Sequence, residues 1–183
     1  FLAKQGAVLV AASDSQGAIV DERGLDVAAL ARLKAAGKSV GDHPEGRRVD
    51  RDGVVGVECE IFVPAARPDV VRADNVDRLR ARLVLEGANI PFTADAEKTL
   101  HGRGVWVVPD FIANAGGVIC AAMEYAGATQ TAAFQAIEEK IRANTAAVLD
   151  AASRRGMLPR EAARELASER VVAAMALRRF RSM

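Results

Sequence analysis

Three short apolar runs, each ending in a small or polar patch, constrain this chain more than any other feature. Ile61-Phe62-Val63 runs into Pro64-Ala65-Ala66, and Leu83-Val84-Leu85 into Glu86-Gly87-Ala88-Asn89. Val105-Trp106-Val107-Val108 runs into Pro109-Asp110-Phe111-Ile112-Ala113-Asn114, followed by Ala115-Gly116-Gly117-Val118. Short runs rich in β-branched residues read as buried strands. Pro64 and Pro109 end two of them, because proline brings no N–H to a sheet ladder. In open α/β sheets, ligands sit beyond the carboxyl ends of the strands. The three patches are therefore read together, as one candidate site.

Helical segments separate the strands. Asp26 is a candidate N-cap for Val27 to Ala36, with Leu30 and Leu33 on one face and Gly37 as the stop. Ala7 to Ala12 reads as an earlier strand closed by Ser13-Asp14-Ser15, and Gln16 to Val20 as a loop or short extended piece. Strand, loop, helix and next strand together predict a βαβ crossover. Residues 38–57 read as a polar loop, with a short strand pair (Arg48–Val49 and Val54–Val55) turning at Asp52-Gly53. A short helix is expected from Asn75 to Ala81, and another capped by Thr93, running to Thr99 or Leu100. After Val118 the strands stop. Helices are expected over Ile119–Tyr125, from Gln130 (capped by Thr129) to about Arg154, and from Pro159 to about Phe180. The fold class is α/β, a doubly wound and mostly parallel sheet with a helical tail. The expected division is 1–125 for the sheet domain and 126–183 for the helices packed on or beside it.

Composition excludes several classes of function. The 183 residues carry 25 basic and 24 acidic side chains, so no charge excess points to nucleic acid. No run of about 18 apolar residues suggests a membrane span. Cys59 and Cys120 make no disulfide framework, and the Val118-Ile119 and Ala121-Ala122 flanks predict a buried core position for Cys120. His43 and His101 stand in no metal-ligand spacing with either cysteine, so no metal site is expected.

What the residues point to is binding. Asp14 closes the first strand, where dinucleotide folds place groups near the adenine ribose; its competing role is to cap a turn. Pro64-Ala65-Ala66 presents backbone and small side chains, a surface that either lies flat against a ring or simply turns. Asn89 and Asn114, at comparable strand ends, each carry an amide able to donate and accept. The G-x-G-x-x-G phosphate fingerprint is absent from the chain.

Four motifs, in order, carry a resemblance. Ser13-Asp14-Ser15-Gln16-Gly17-Ala18-Ile19, Ile61-Phe62-Val63-Pro64-Ala65-Ala66, Glu86-Gly87-Ala88-Asn89 and Pro109-Asp110 through Asn114-Ala115-Gly116-Gly117-Val118 resemble the cofactor-binding domain of the glutamate, leucine, phenylalanine and valine dehydrogenases. The resemblance covers essentially the whole chain. It implies a Rossmann-like fold and NAD- or NADP-dependent oxidative deamination of an L-amino acid to a 2-oxo acid and ammonia, with the glutamate branch first. It implies that Ser13 and Asp14 approach the adenosine ribose, Ala65 and Ala66 lie along the cofactor, and Asn89 meets the nicotinamide ribose. Asn114 then positions the nicotinamide or substrate, and Gly116, Gly117 and Ala121 lie beside the substrate.

The resemblance also implies that the catalytic residues belong to a preceding substrate domain. Phe1 to Gly6 reads as the end of the helix that follows the glycine-rich turn. The chain by itself is thus expected to be inactive and to bind cofactor poorly. Relatives often carry an acidic residue where this chain has Ala12, so NADP is admitted beside NAD. Glutamate-using relatives commonly carry serine where this chain has Ala121, which keeps the leucine, phenylalanine and valine branch as the alternative; a non-catalytic nucleotide-binding subunit is a further one. The expected setting is a cytoplasmic homo-hexamer acting on small molecules, without nucleic-acid or membrane partners.

Overall fold

The segment Asp14-Ser15-Gln16-Gly17 sends the chain straight back on itself. The Asp14 amide donates to Gly17 O at 2.9 Å, and the Gln16 amide donates to Asp14 Oδ1 at 2.9 Å. Aspartate in the first place and glycine in the fourth suit such a turn. Strand β1 (Ala11–Ser13) therefore pairs antiparallel with β2 (Ala18–Val20), and β2 pairs antiparallel with β3 (Arg47–Val49). This computed structural model describes residues 2–178; the expected features at Phe1 and near Phe180 lie outside them.

The antiparallel sheet corrects two expectations and, of the two forms expected for Gln16 to Val20, takes the extended one. No βαβ crossover follows β1, because the helix that comes next joins β2 to β3, two adjacent strands that pair antiparallel. Gln16 to Val20 supplies the central strand, whose Ala18, Ile19 and Val20 are all buried. Val54–Val55 does not pair with Arg48–Val49, because residues Arg51–Gly56 wind into a 3-10 helix and β2 takes the edge of β3 instead. Helix α1 (Val27–Ala35) covers this sheet through Leu30 and is capped as expected, Asp26 accepting from the Ala28 and Ala29 amides.

Gly46 marks the closest approach of a glycine to backbone in this half. Its φ is +92°, and a Cβ there would stand 2.8 Å from the carbonyl oxygen of Val20. Gly46→Ala is expected to cost about 2 kcal/mol, from left-handed strain and forced displacement of β2. Urea unfolding followed by circular dichroism measures it, and an unchanged midpoint would contradict this packing.

The second sheet is parallel, with β4 (Ile61–Phe62), β5 (Leu83–Leu85) and β6 (Trp106–Val108) in that order. Its register pairs Phe62 with Val84 and Val84 with Val107. Both faces are covered, as the near-continuous apolar runs require. On one face, α2 (Ala94–Gly102) brings Ala96 and Leu100 into a core with Val71, Leu79, Val84 and Val107. Thr93 caps α2, which runs two residues beyond the expected end. The segment expected as a helix from Asn75 to Ala81 forms one 3-10 turn, Val76–Arg78.

The other face is covered by the C-terminal helices. After α3 (Asp110–Ala113) and α4 (Gly116–Tyr125) come α5 (Gln130–Arg155), capped by Thr129, and α6 (Pro159–Arg178). Val148, Ala152, Ala162 and Ala163 join Val108 and Ile112 in one apolar cluster, with Leu83 and Leu85 packed against it. The α/β class with a parallel sheet and a helical C-terminal region is as expected.

Candidate functional site

The parallel register brings the three strand ends together. Beyond β4, Pro64 O accepts the Ala88 amide at 2.8 Å, which joins the first patch to the second. Gly87 makes that approach possible: a Cβ there would lie 3.1 Å from the Cβ of Ala65 and 3.3 Å from its Cα. Ala65 and Ala66 are exposed, as a surface that receives a flat ligand must be. Beyond β6, the Asn114 amide donates to Asn89 Oδ1 at 2.8 Å and reaches Gly87 O at 3.5 Å. Asn89 and Asn114, separated by 25 residues, thus form one amide pair at the carboxyl edge of the sheet. Among the described residues, Asn89 Nδ2 and Asn114 Oδ1 keep no internal partner, leaving one donor and one acceptor for a ligand.

The glycines and Ala121 lie on the next element. Gly116 and Gly117 open α4 in its first turn. A Cβ on Gly116 would make ordinary contact with Ile137, and one on Gly117 would meet open space, so neither is required by packing within the chain. Ala121 is exposed on the same helix. Cys120 is half-buried rather than a core residue, since α4 packs chiefly on α5 and buries none of its own residues.

Ser13 and Asp14 belong to the antiparallel sheet instead. Ser13 is exposed at the end of β1. Asp14 is consumed by its own chain: Oδ1 accepts from the Gln16 amide and Ser39 Oγ at 2.9 Å each, and Oδ2 from the Val40 amide at 2.9 Å and Lys34 Nζ at 2.8 Å. Burial alone would push its carboxyl up, but these bonds outweigh it and hold the group well below the usual carboxylate range. Its capping role is thus established in the fold, and Ser39 and Lys34 are bound to the turn from α1 and the segment after it. Arg48, across from Ile19 on β3, pairs with Asp42 at 3.3 Å.

Behind the amide pair lies a charged cluster absent from the sequence reading. Arg160, in the first turn of α6, donates through Nη2 to Glu86 at 2.6 Å, through Nε to Glu97 at 2.7 Å and through Nη1 to Asp110 at 3.0 Å. Its guanidinium carbon stands 5.8 Å from the centre of the Phe111 ring. Glu86 is fully buried, with Oε2 also accepting the Asp110 amide at 2.8 Å and Oε1 without a partner. Burial pushes its carboxyl up to about 7, against the opposing pull of Arg160. Charge counting agrees with that direction, since one cation serves three carboxylates. For Asp110 burial acts the same way, but the Ile90 amide, Arg160 and the Phe111 amide hold it below its ordinary value. One signal for this cluster was present in the sequence. A basic side chain in the first turn opposes the helix dipole, so Arg160 needs a strong acidic partner to sit there. Among the described residues no cluster of three or more His, Cys, Asp or Glu side chains is arranged to hold a metal ion.

Comparison with known proteins shows the family. The family model described as glutamate/leucine/phenylalanine/valine dehydrogenase matches residues 1–179. The glutamate dehydrogenase of Aeropyrum pernix is 37% identical over 189 residues, covering 97% of this chain and 45% of the relative. An NADP(+)-dependent glutamate dehydrogenase of Pyrobaculum calidifontis is 44% identical over 130 residues, covering 68% of this chain and 31% of the relative. Among solved structures, the leucine-bound hetero-hexameric glutamate dehydrogenase of Thermus thermophilus superposes with a TM-score of 0.81 at 30% identity, covering 96% of this chain and 43% of that one. The chain spans less than half the length of these proteins. With the family model spanning nearly every residue, and the strand-end motifs meeting at one edge of the parallel sheet, the chain belongs to the glutamate/leucine/phenylalanine/valine dehydrogenase family.

Proposed function

We propose that this chain is the cofactor-binding part of an NAD(P)-dependent glutamate dehydrogenase, which reversibly converts L-glutamate to 2-oxoglutarate and ammonia. The observation that carries the reading is the Asn114–Asn89 amide pair beside the exposed Ala65-Ala66 surface. The bound nicotinamide would supply hydride transfer. This chain's part is orientation. Asn89 offers its free N–H to the nicotinamide ribose, Asn114 offers its free carbonyl to the nicotinamide or substrate, and Ala65 and Ala66 lie along the cofactor. Ser13 is placed near the adenosine ribose, with Asp14 shaping that turn. Gly116, Gly117 and Ala121 border the substrate, and the open space beside Gly117 suits that role. Residues 1–125 serve as the nucleotide-binding unit and 126–183 as the helices that brace it.

Ala12 presents no carboxylate to a 2′-phosphate, so NADP is accepted as well as NAD. Its acceptance is supported by the relatives whose names specify NADP. The proposed assembly is a hexamer of identical chains in the cytoplasm; no helix among the described residues is long and apolar enough to cross a membrane. Ala121 favours a second reading, the leucine, phenylalanine and valine branch, because alanine offers no hydrogen bond to a distal carboxylate.

The test uses the intact enzyme carrying this chain. Steady-state rates with glutamate, leucine, phenylalanine and valine, each with NAD and NADP, are expected to be highest with glutamate. Asn114→Ala is expected to raise the dinucleotide KM about tenfold, the worth of one lost polar contact. Preference for an apolar amino acid would move the assignment to the second branch. No turnover with any of the four would reject the catalytic reading in favour of a nucleotide-binding subunit.

A further inference from the structure

The Asn89–Asn114 pair lies at the end of a hydrogen-bonded chain that starts on the last helix. Arg160 of α6 binds Asp110 Oδ1, and Asp110 Oδ2 accepts the Ile90 amide at 2.8 Å. Ile90 directly follows Asn89. Its φ is +50°, a left-handed conformation that costs a β-branched residue energy and persists only when its surroundings impose it. The Ile90 side chain is 61% exposed, so core packing does not impose it. Two hydrogen bonds do: the one to Asp110, and one from the Asp69 amide to Ile90 O at 3.0 Å. Asp110 also opens α3, and its carbonyl accepts the Asn114 amide at 2.8 Å. The same residue therefore sets the backbone at both asparagines.

Asp110 is in turn held from every side. Its amide donates to Glu86 at the end of β5, and Arg160 binds Glu86 and Asp110 together while reaching Glu97 on α2. Stability alone does not explain such a cluster, because well-packed apolar residues replace buried ion pairs without loss in many proteins. What an apolar replacement would lack is direction. A guanidinium with three separate carboxylate partners fixes the rotation of Asp110, and with it the place of the Ile90 amide.

We propose that Arg160 is a positioning residue, which through Asp110 and the strained backbone at Ile90 holds the Asn89–Asn114 amide pair in the geometry that receives the dinucleotide. The functional meaning of this inference rests on the dinucleotide reading above, but its structural content does not.

The test is the side-chain amide spectrum of Asn89 and Asn114, assigned by nitrogen-15 NMR in the unliganded 183-residue chain, with the response to NAD and NADP read in the intact enzyme. Two variants are compared. Arg160→Lys keeps the charge and loses the three-pronged grip. Arg160→Met combined with Glu86→Gln removes the cation and also neutralises the fully buried carboxylate it would otherwise leave uncompensated. In both, the Asn114 side-chain amide is expected to exchange with solvent about tenfold faster, as for one lost hydrogen bond. Its resonances move together with the Ile90 amide, while the signals of β2 and α1 stay in place. In the intact enzyme, Arg160→Lys is expected to raise the dinucleotide KM several-fold and to leave the amino-acid KM within about twofold. Unchanged Asn114 and Ile90 resonances in either folded variant would overturn the proposal and leave Arg160 as a clamp on the fold. Failure of both variants to fold would have the same consequence. If the unaltered enzyme shows no response to either nucleotide while the Asn114 signal still depends on Arg160, the dinucleotide reading fails and the positioning role stands.

Discussion

Replacing Asp14 with alanine is expected to destabilise the chain by about 3–4 kcal/mol, counting charge-assisted hydrogen bonds and the buried amide they leave behind. The carboxylate accepts from Gln16, Lys34, Ser39 and Val40, and thereby ties the β1–β2 turn to the end of α1 and the segment after it. Ser39 and Val40 are both buried, so water does not take the place of the lost acceptor. Asp14→Asn keeps one oxygen and is expected to lose about half as much. Urea unfolding at pH 7 reads both values. A loss below about 1 kcal/mol for the alanine variant would mean that the carboxylate does not carry the turn. The sign with pH follows from the lowered pKa of Asp14. Its contribution is fully present above the ordinary carboxylate value of 3.8 and disappears as pH falls towards the folded value. The prediction also separates two meanings of one residue. Lower dinucleotide affinity in an Asp14 variant would follow from the collapsed turn, so it would not by itself identify a ribose contact.

Stability is expected to fall between pH 5 and pH 8 by about 2.5 kcal/mol, and Glu86→Gln is expected to remove that slope. Burial raises the Glu86 carboxyl from 4.5 to about 7. The folded state therefore holds this proton more tightly than the unfolded chain does. That stabilisation is complete below about pH 4.5 and is lost as pH rises through 7. Its cause is visible in the cluster: Arg160 supplies one positive charge, and Glu86 competes for it with Glu97 and Asp110. Glutamine keeps an oxygen for the Asp110 amide and Arg160, and carries no charge to bury. Unfolding midpoints at pH 5 and pH 8 for the two proteins decide the matter. A slope that survives the substitution would assign the titration to another group, and a flat wild-type profile would mean that Arg160 fully compensates all three carboxylates.

The parallel half of the fold was legible because its signals are local. Apolar runs of three or four residues stop at Pro64, Glu86 and Pro109, and caps at Asp26, Thr93 and Thr129 begin helices where their side chains satisfy free amides. The antiparallel half was less so. Gln16 to Val20 lacks the length of a clear strand, and only pairing on both edges makes it the central one. The signal that the chain reverses there, aspartate and glycine three apart, was present but also fits a cap.

The candidate site divides the same way. Sequence alone determined that small and amide-bearing residues, Ala65, Ala66, Asn89 and Asn114, close the parallel strands, because strand termination is written in neighbouring residues. Only the tertiary structure decided that Asn89 and Asn114 bond to each other, that Asp14 spends its carboxylate on its own chain, and that Arg160 holds Glu86, Glu97 and Asp110 together. The Asp14–Ser39, Asn89–Asn114 and Arg160–Glu86 contacts join residues 25, 25 and 74 positions apart. A charged side chain carries no mark of its partner in its own sequence neighbourhood, and the partner is chosen only when packing brings helix and strand ends into one place.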